Sequence, residues 1–160
     1  MISVGTGYIR FNLGHTQVLA RMIDESYPNY EAVIPVENDR RLTINRTALL
    51  NAVKRVALYS SSMTHQIRLA LRSNQVEISA EDIERSSAAR ETVLCEYEAE
   101  EMDIGFNSVY LTEVLGHLDA DDIVFEFGSP NRAGILVPSI QRDGEEILML
   151  IMPVMLNTYV

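Results

Sequence analysis

Few side chains in this 160-residue chain have the type and spacing that covalent or metal chemistry requires. His15, His65 and His117 lie far apart and lack ligand spacing, which points to surface or packing roles. Asp119-Ala120-Asp121-Asp122 clusters carboxylates at a helix-to-strand turn. It offers a hard cation some oxygens, but not the glycine and distal glutamate of a calcium loop, and a solvated turn is expected. The single cysteine, Cys95, shares a strand face with Val93 and Tyr97 and reads as a small buried hydrophobe rather than a reactive thiol. The stretch from Phe127-Gly128 to Gly134 has two glycines but no helix after it, so no phosphate cradle is expected. No Walker loop, dinucleotide fingerprint or nucleophile elbow is present. The expectation is a non-enzyme without cofactor or metal.

Binding chemistry is better represented. The ending Leu148-Met149-Leu150-Ile151-Met152-Pro153-Val154-Met155-Leu156 is apolar and rich in sulfur. Up to Ile151 it reads as a core strand. From Met152 to Leu156 nothing remains to bury it, and Met-lined surfaces repack around apolar partners. Leu58, with Tyr59 beside it, falls on a helix side that is otherwise polar, which makes it an interface candidate.

These residues need elements to hold them. Ile2–Val4, Tyr8–Asn12 and Gln17–Ile23 read as a meander turned at Gly7 and Gly14. It has no helix of its own, so the chain is expected to begin inside a domain. Asp24–Arg40, with two prolines and two tyrosines, reads as an ordered linker. Beyond it the pattern doubles. Strand Arg41–Asn45, helix Thr47–Ser60, hairpin Gln66–Arg72/Gln75–Ala80 and strand Glu91–Glu98 form one β-α-β-β-β unit. Met102–Phe106, helix Asn107–Leu118, Asp122–Phe127, Gly134–Val137 and Ile147–Pro153 form the second. Leu49, Leu50, Val53, Val56 and Ala57 share one face of the first helix, opposite Thr47, Asn51, Lys54 and Arg55. In the second, Leu111, Val114, Leu115 and Leu118 are the apolar face, with Tyr110, Thr112, Glu113 and His117 off it.

Apolar residues make up 47% of the chain and charged ones 22%, which suits a packed globular domain. The net charge of −10 excludes a generally basic nucleic-acid-coating protein but not a local basic surface. The first helix holds Arg46, Lys54 and Arg55 and no acid, whereas residues 81–103 hold nine acids against two arginines. Met1 is not followed by a basic and then an apolar stretch, so no secretory signal is expected. The longest apolar run, broken by Pro153, is too short for a membrane helix. A cytoplasmic protein with no membrane partner is expected.

The doubled unit resembles the domain of sliding clamps, and three segments resemble the bacterial DNA polymerase III beta subunit family in particular. They are the linker Tyr27-Pro28-Asn29-Tyr30-Glu31-Ala32-Val33-Ile34-Pro35, the helix start Ile104-Gly105-Phe106-Asn107-Ser108-Val109-Tyr110-Leu111, and the ending Ile151-Met152-Pro153-Val154-Met155-Leu156. The resemblance implies an α+β sliding-clamp fold, with helices on one face of antiparallel sheets. Residues 1–23 would be the last strands of a middle domain, 24–40 an interdomain linker, and 41–160 a complete C-terminal domain. It also implies a non-catalytic processivity subunit that encircles duplex DNA nonspecifically, as a ring closed by two chains. In a bacterial cytoplasm it would associate with the nucleoid during replication.

By the same resemblance, a groove takes linear peptides from the polymerase III alpha subunit, the clamp loader and repair polymerases. Its matching positions are Pro28, Val33, Asn107, Tyr110, Arg132, Ala133, Met152, Pro153, Val154, Met155 and Leu156, with Arg132 and Ala133 on a wall strand. Arg46, Lys54 and Arg55 would face DNA, and Leu58 and Tyr59 would lie in the subunit joint. Glu91, Glu96 and Glu98 are expected to keep like sheet edges apart. Met155 stands where many relatives have arginine, and Asn157 to Val160 extend past the usual end. Without the resemblance, two alternatives stand. One is an acidic α+β module, unrelated to replication, that binds a small ligand or peptide at its Met-rich end. The other is a hydrolase using Asp119, Asp121 and Asp122 with a metal.

Overall fold

The computed structural model describes residues 1–156 and divides into two units, Met1–Val33 and the chain from Ile34 onward. In the first, β1 (Ile2–Gly5), β2 (Tyr8–Asn12) and β3 (Gln17–Arg21) pair in sequence order as the expected antiparallel meander. Gly7 and Gly14, both at positive φ, make its turns. The register sets Ile2 and Val4 beside Phe11 and Ile9, and these beside Val18 and Ala20, so one sheet face is wholly apolar. Ile2, Val4 and Val18 on that face are exposed. After the meander, the Tyr27 and Tyr30 rings meet edge to face at 6.2 Å and the 3-10 turn Tyr30–Val33 closes the unit.

The second unit is the doubled β-α-β-β-β pattern. Its first repeat is β4 (Arg40–Asn45), α1 (Arg46–Ala57), β5 (Gln66–Arg72), β6 (Gln75–Asp82) and β7 (Ser87–Leu94). Its second is β8 (Met102–Asn107), α2 (Ser108–His117), β9 (Asp122–Phe127), β10 (Gly134–Pro138) and β11 (Met149–Ile151). The repeats exchange their first strands, giving sheets ordered β11-β10-β9-β4 and β7-β6-β5-β8. Each repeat is therefore completed by the other, which makes the pair a single folding unit. Leu42, Leu49, Val53, Ile67, Leu69, Ile104, Phe106, Leu111, Leu115 and Phe125 are fully buried in one core between the sheets and the two helices, which pack on each other. Gly134 lets a ring into that core, since a Cβ there would stand 2.5 Å from Cε2 of Phe125. Residues 34–40, expected in the linker, are tied to this unit. The Asn38 amide donates to the carbonyls of Glu126 at 3.1 Å and Ala133 at 2.9 Å, and Arg132 pairs with Glu37.

Both helices start as their caps dictate. The Asn45 side chain accepts from the N–H of Ala48 at 3.0 Å, and that of Asn107 from the N–H of Val109 at 2.9 Å. Most boundaries shift by one or two residues, and three differ in ways the structure explains. Helix α1 stops at Ala57 rather than Ser60, because Leu58, Tyr59 and Ser60 bond back three residues and the Ser60 hydroxyl takes the Ala57 carbonyl. Strand β7 runs Ser87–Leu94 rather than Glu91–Glu98. Ala88 and Ala89, poor strand formers, hide its first half in sequence, and Cys95 and Glu96 leave β6 to bond Asn74 and Thr43. Strand β11 is only Met149–Ile151. Ile147 is held instead by the Gln141 amide, which donates to its carbonyl at 2.8 Å and accepts its N–H at 3.0 Å, and Pro153 offers no N–H to the ladder.

Candidate functional site

The chain after β11 does not fray at Pro153. Val154 donates its N–H to the Gly105 carbonyl at 2.9 Å, so the segment lies along the outer edge of β8. The same corner exists in the other repeat, where Thr43 and Glu96 exchange hydrogen bonds of 2.9 and 2.8 Å. Gly105 permits the close approach: a Cβ there would meet the Val154 carbonyl at 2.7 Å and the Leu156 side chain at 2.9 Å. Val154 and Leu156 are half-buried over β8, while Met152 and Met155 are 61% and 84% exposed. Ile151, buried, anchors the segment.

Helix α2 starts three residues after Gly105 and packs against β11. Asn107, expected in the groove, is spent on this helix. Its Oδ1 caps Val109 and Tyr110, and its amide donates to Thr64. It positions the exposed Tyr110 and Val109 rather than offering a free polar group. Val109 was missed in sequence, although it lies opposite the Leu111/Leu115 face, the anomaly that singled out Leu58. Exposed methionine sulfur, a tyrosine and a valine offer an apolar side chain soft, adaptable contact. Arg132 and Ala133 precede β10 instead of lying in a strand, because the Asn38 amide has taken the Ala133 carbonyl. Ala133 is buried, and Arg132 reaches Glu37 at 3.0 Å. Pro28 and Val33 belong to the first unit, Val33 exposed at the end of the 3-10 turn.

The three cations of α1 have separate fates. The half-buried Arg46 guanidinium donates to the carbonyls of Ala120 at 2.8 Å and Leu115 at 3.2 Å, tying α1 to the end of α2. Arg55 grips Glu91 of β7 with two nitrogens, which raises the guanidinium's pKa and holds the carboxyl below its usual range. Among the described residues Lys54 has no ion-pair partner. Leu58 and Tyr59, just past the helix, are 77% and 43% exposed, and the neighbouring Met63 is exposed with them.

The remaining candidates are structural. Cys95 is half-buried beside the core, and loss of solvent pushes its thiol up to about 11. Asp119 pairs with Arg142, and among the described residues no group of carboxylates, histidines and cysteines is arranged to hold a metal. No helix among them is long and apolar enough to cross a membrane. Asn157 to Val160 lie outside the described residues.

Residues 31–154 match the family model described as DNA polymerase III beta subunit, C-terminal domain. Similar curated proteins include the beta sliding clamps of Caulobacter vibrioides, 28% identical over 92% of this chain and 40% of the relative, and Synechococcus elongatus, 31% identical over 95% and 40%. Among solved structures, the sliding clamp of Bartonella birtlesii bound to griselimycin superposes with a TM-score of 0.89 at 30% identity, covering 97% of this chain and 41% of that one. The clamp of Pseudomonas aeruginosa gives 0.89 at 29% identity, with 97% and 42% covered. The chain thus spans about 40% of the length of the curated relatives it matches.

Proposed function

Because the chain belongs to the DNA polymerase III beta subunit family through its C-terminal domain, we propose that it acts as the peptide-docking domain of a DNA sliding clamp. One observation carries this reading: the segment from Met152 to Leu156 is fixed on β8 through Gly105, yet keeps two methionine side chains in solvent. A segment pinned by its backbone and free in its side chains loses little entropy on binding, and this is what a linear-peptide anchor site needs. Tyr110 and Val109 extend the surface. Arg132 supplies a charged rim.

The role is non-catalytic. Its partners are peptides with apolar anchors, of the glutamine-plus-leucine-phenylalanine type, from the polymerase, clamp loader and repair polymerases of a bacterial cytoplasm. DNA is held by ring closure between two chains, with Leu58 and Tyr59 in the joint. Lys54 makes the sequence-independent phosphate contact, while Arg46 and Arg55 are committed within the domain. The test is competition. Griselimycin, the ligand of the Bartonella birtlesii structure, should bind this chain and be displaced by such a peptide, and Met152→Asp should weaken both at least about tenfold. Binding of both that is unchanged in Met152→Asp would remove this reading.

A further inference from the structure

Three of the chain's seven methionines, Met149, Met152 and Met155, stand at every third position of the segment that runs from β11 to Leu156. Their surroundings differ. Met149 is half-buried in β11 and packs against the core. Met152 and Met155 are 61% and 84% exposed, on a backbone held by the Val154–Gly105 hydrogen bond and the buried Ile151. Neither side chain belongs to the core, so a chemical change at either sulfur alters the surface and not the fold. Met102, by contrast, is buried. A thioether loses no proton before it reacts, so an exposed methionine is open to oxidants at neutral pH. The one cysteine is not a rival sulfur. Burial pushes the Cys95 thiol up to about 11, and almost none of the thiolate that peroxides attack exists at neutral pH.

We propose that Met152 and Met155 form an oxidation switch on the docking surface, turned off by hydroperoxides and on again by thiol reductants. The inference rests on the peptide-docking reading of this segment. In the forward step a sulfur lone pair attacks the terminal oxygen of the hydroperoxide. The S–O bond forms as the O–O bond breaks. The sulfur is oxidised by two electrons to a sulfoxide, and the departing oxygen takes the proton of the transferred one and leaves as water or an alcohol. In the return step two thiols supply two electrons and two protons, giving the thioether, a disulfide and water. The sulfoxide is a polar, chiral group where a soft apolar one stood. An apolar peptide anchor must then strip water from the sulfoxide oxygen without replacing its hydrogen bonds, and affinity should fall at least about tenfold.

The test is fractionation of the chain after partial oxidation by hydrogen peroxide at neutral pH. The mixture is passed over an immobilised peptide carrying glutamine and leucine-phenylalanine anchors, and the retained and unretained fractions are mapped by mass spectrometry. Sulfoxide at Met152 and Met155 should concentrate in the unretained fraction. Sulfoxide at Met63, which is 83% exposed but lies outside the docking segment, should divide evenly. Met102 should stay unoxidised and circular dichroism unchanged. Sulfoxide reductases for both sulfur epimers, with dithiothreitol, should make the unretained fraction bind again. Even division of the Met152 and Met155 sulfoxides, or an unretained fraction that reduction does not restore, would overturn the inference while the docking reading stands. Failure of the untreated chain to be retained would remove the docking reading, and the inference with it.

Discussion

Val154 and Gly105 touch backbone to backbone: the valine N–H donates to the glycine carbonyl at 2.9 Å, and a Cβ on the glycine would stand 2.7 Å from the valine carbonyl. One hydrogen bond and one missing side chain thus decide where the last described residues lie. This links a glycine inside β8 to the availability of Met152 and Met155 at the sheet edge.

Gly105→Ala should push that segment off the sheet edge. We expect a loss of stability of about 1–3 kcal/mol from overpacking, in a domain that keeps its fold. Peptide binding should fall at least about tenfold, since the anchor side chains lose their fixed backbone. Thermal denaturation and a peptide titration on the same variant check both. A variant that binds as well as the parent would separate Gly105 from the site.

Arg46 and Lys54 should behave as opposites. Arg46→Ala leaves the carbonyls of Leu115 and Ala120 without their donor and should cost about 1–3 kcal/mol. Lys54→Ala should stay within about 0.5 kcal/mol, as unpaired surface positions do. Linear duplex DNA should bind the parent weakly, with Kd above about 10 μM at physiological salt, because the −10 charge opposes it. Denaturant unfolding and fluorescence anisotropy are the measurements.

The doubled pattern, both helix faces, the meander and the site segment were all legible in the sequence, because alternation and the 3.6-residue period are strong where apolar residues are large. What stayed hidden depended on partners distant in sequence. Asn107 was legible as a cap of α2, but not that its amide is also spent, on the Thr64 carbonyl more than forty residues away. Arg46 looked solvent-facing, since its acceptors lie some seventy residues away in the chain. Strand β7 was misplaced because its edge half is built from alanines, and Ile147 was assigned to a strand because a glutamine side chain stands in for one. The exchange of first strands between repeats is invisible to any local pattern.

Asp103 gives the domain an acid-sensitive contact. Partial burial pushes its carboxyl up, but hydrogen bonds and charge from Arg68 and Arg72 together outweigh this and hold it below the usual range. A depressed folded value contributes stability above the unfolded pKa of about 4, and this is lost as pH falls through the folded one. Asp103→Asn should therefore be less stable than the parent at neutral pH, with the gap closing below about pH 4. Urea unfolding at several pH values tests this. A gap that is the same at pH 7 and at low pH would contradict it.

Cys95 should be inert. With its thiol pushed up to about 11, almost no thiolate exists at neutral pH. The raised value also means that the folded state holds this proton more tightly than the unfolded one. Stability from this group is therefore present below the unfolded pKa and is lost as pH rises from about 9 toward 11. Labelling by a thiol reagent at pH 8 should be slow in the native protein and fast in urea. Equal rates would show the side chain to be open.

The most direct test of the docking role is a titration of isotope-labelled protein with a peptide carrying glutamine and leucine-phenylalanine anchors, followed residue by residue by NMR. The account predicts weak saturable binding, with a Kd of roughly 10 μM to 1 mM, shifts at Gly105, Val109, Tyr110 and Met152 to Leu156, and loss of both in Met152→Asp without unfolding. Shifts confined to the outer face of the β7-β6-β5-β8 sheet, or none at millimolar peptide, would contradict it.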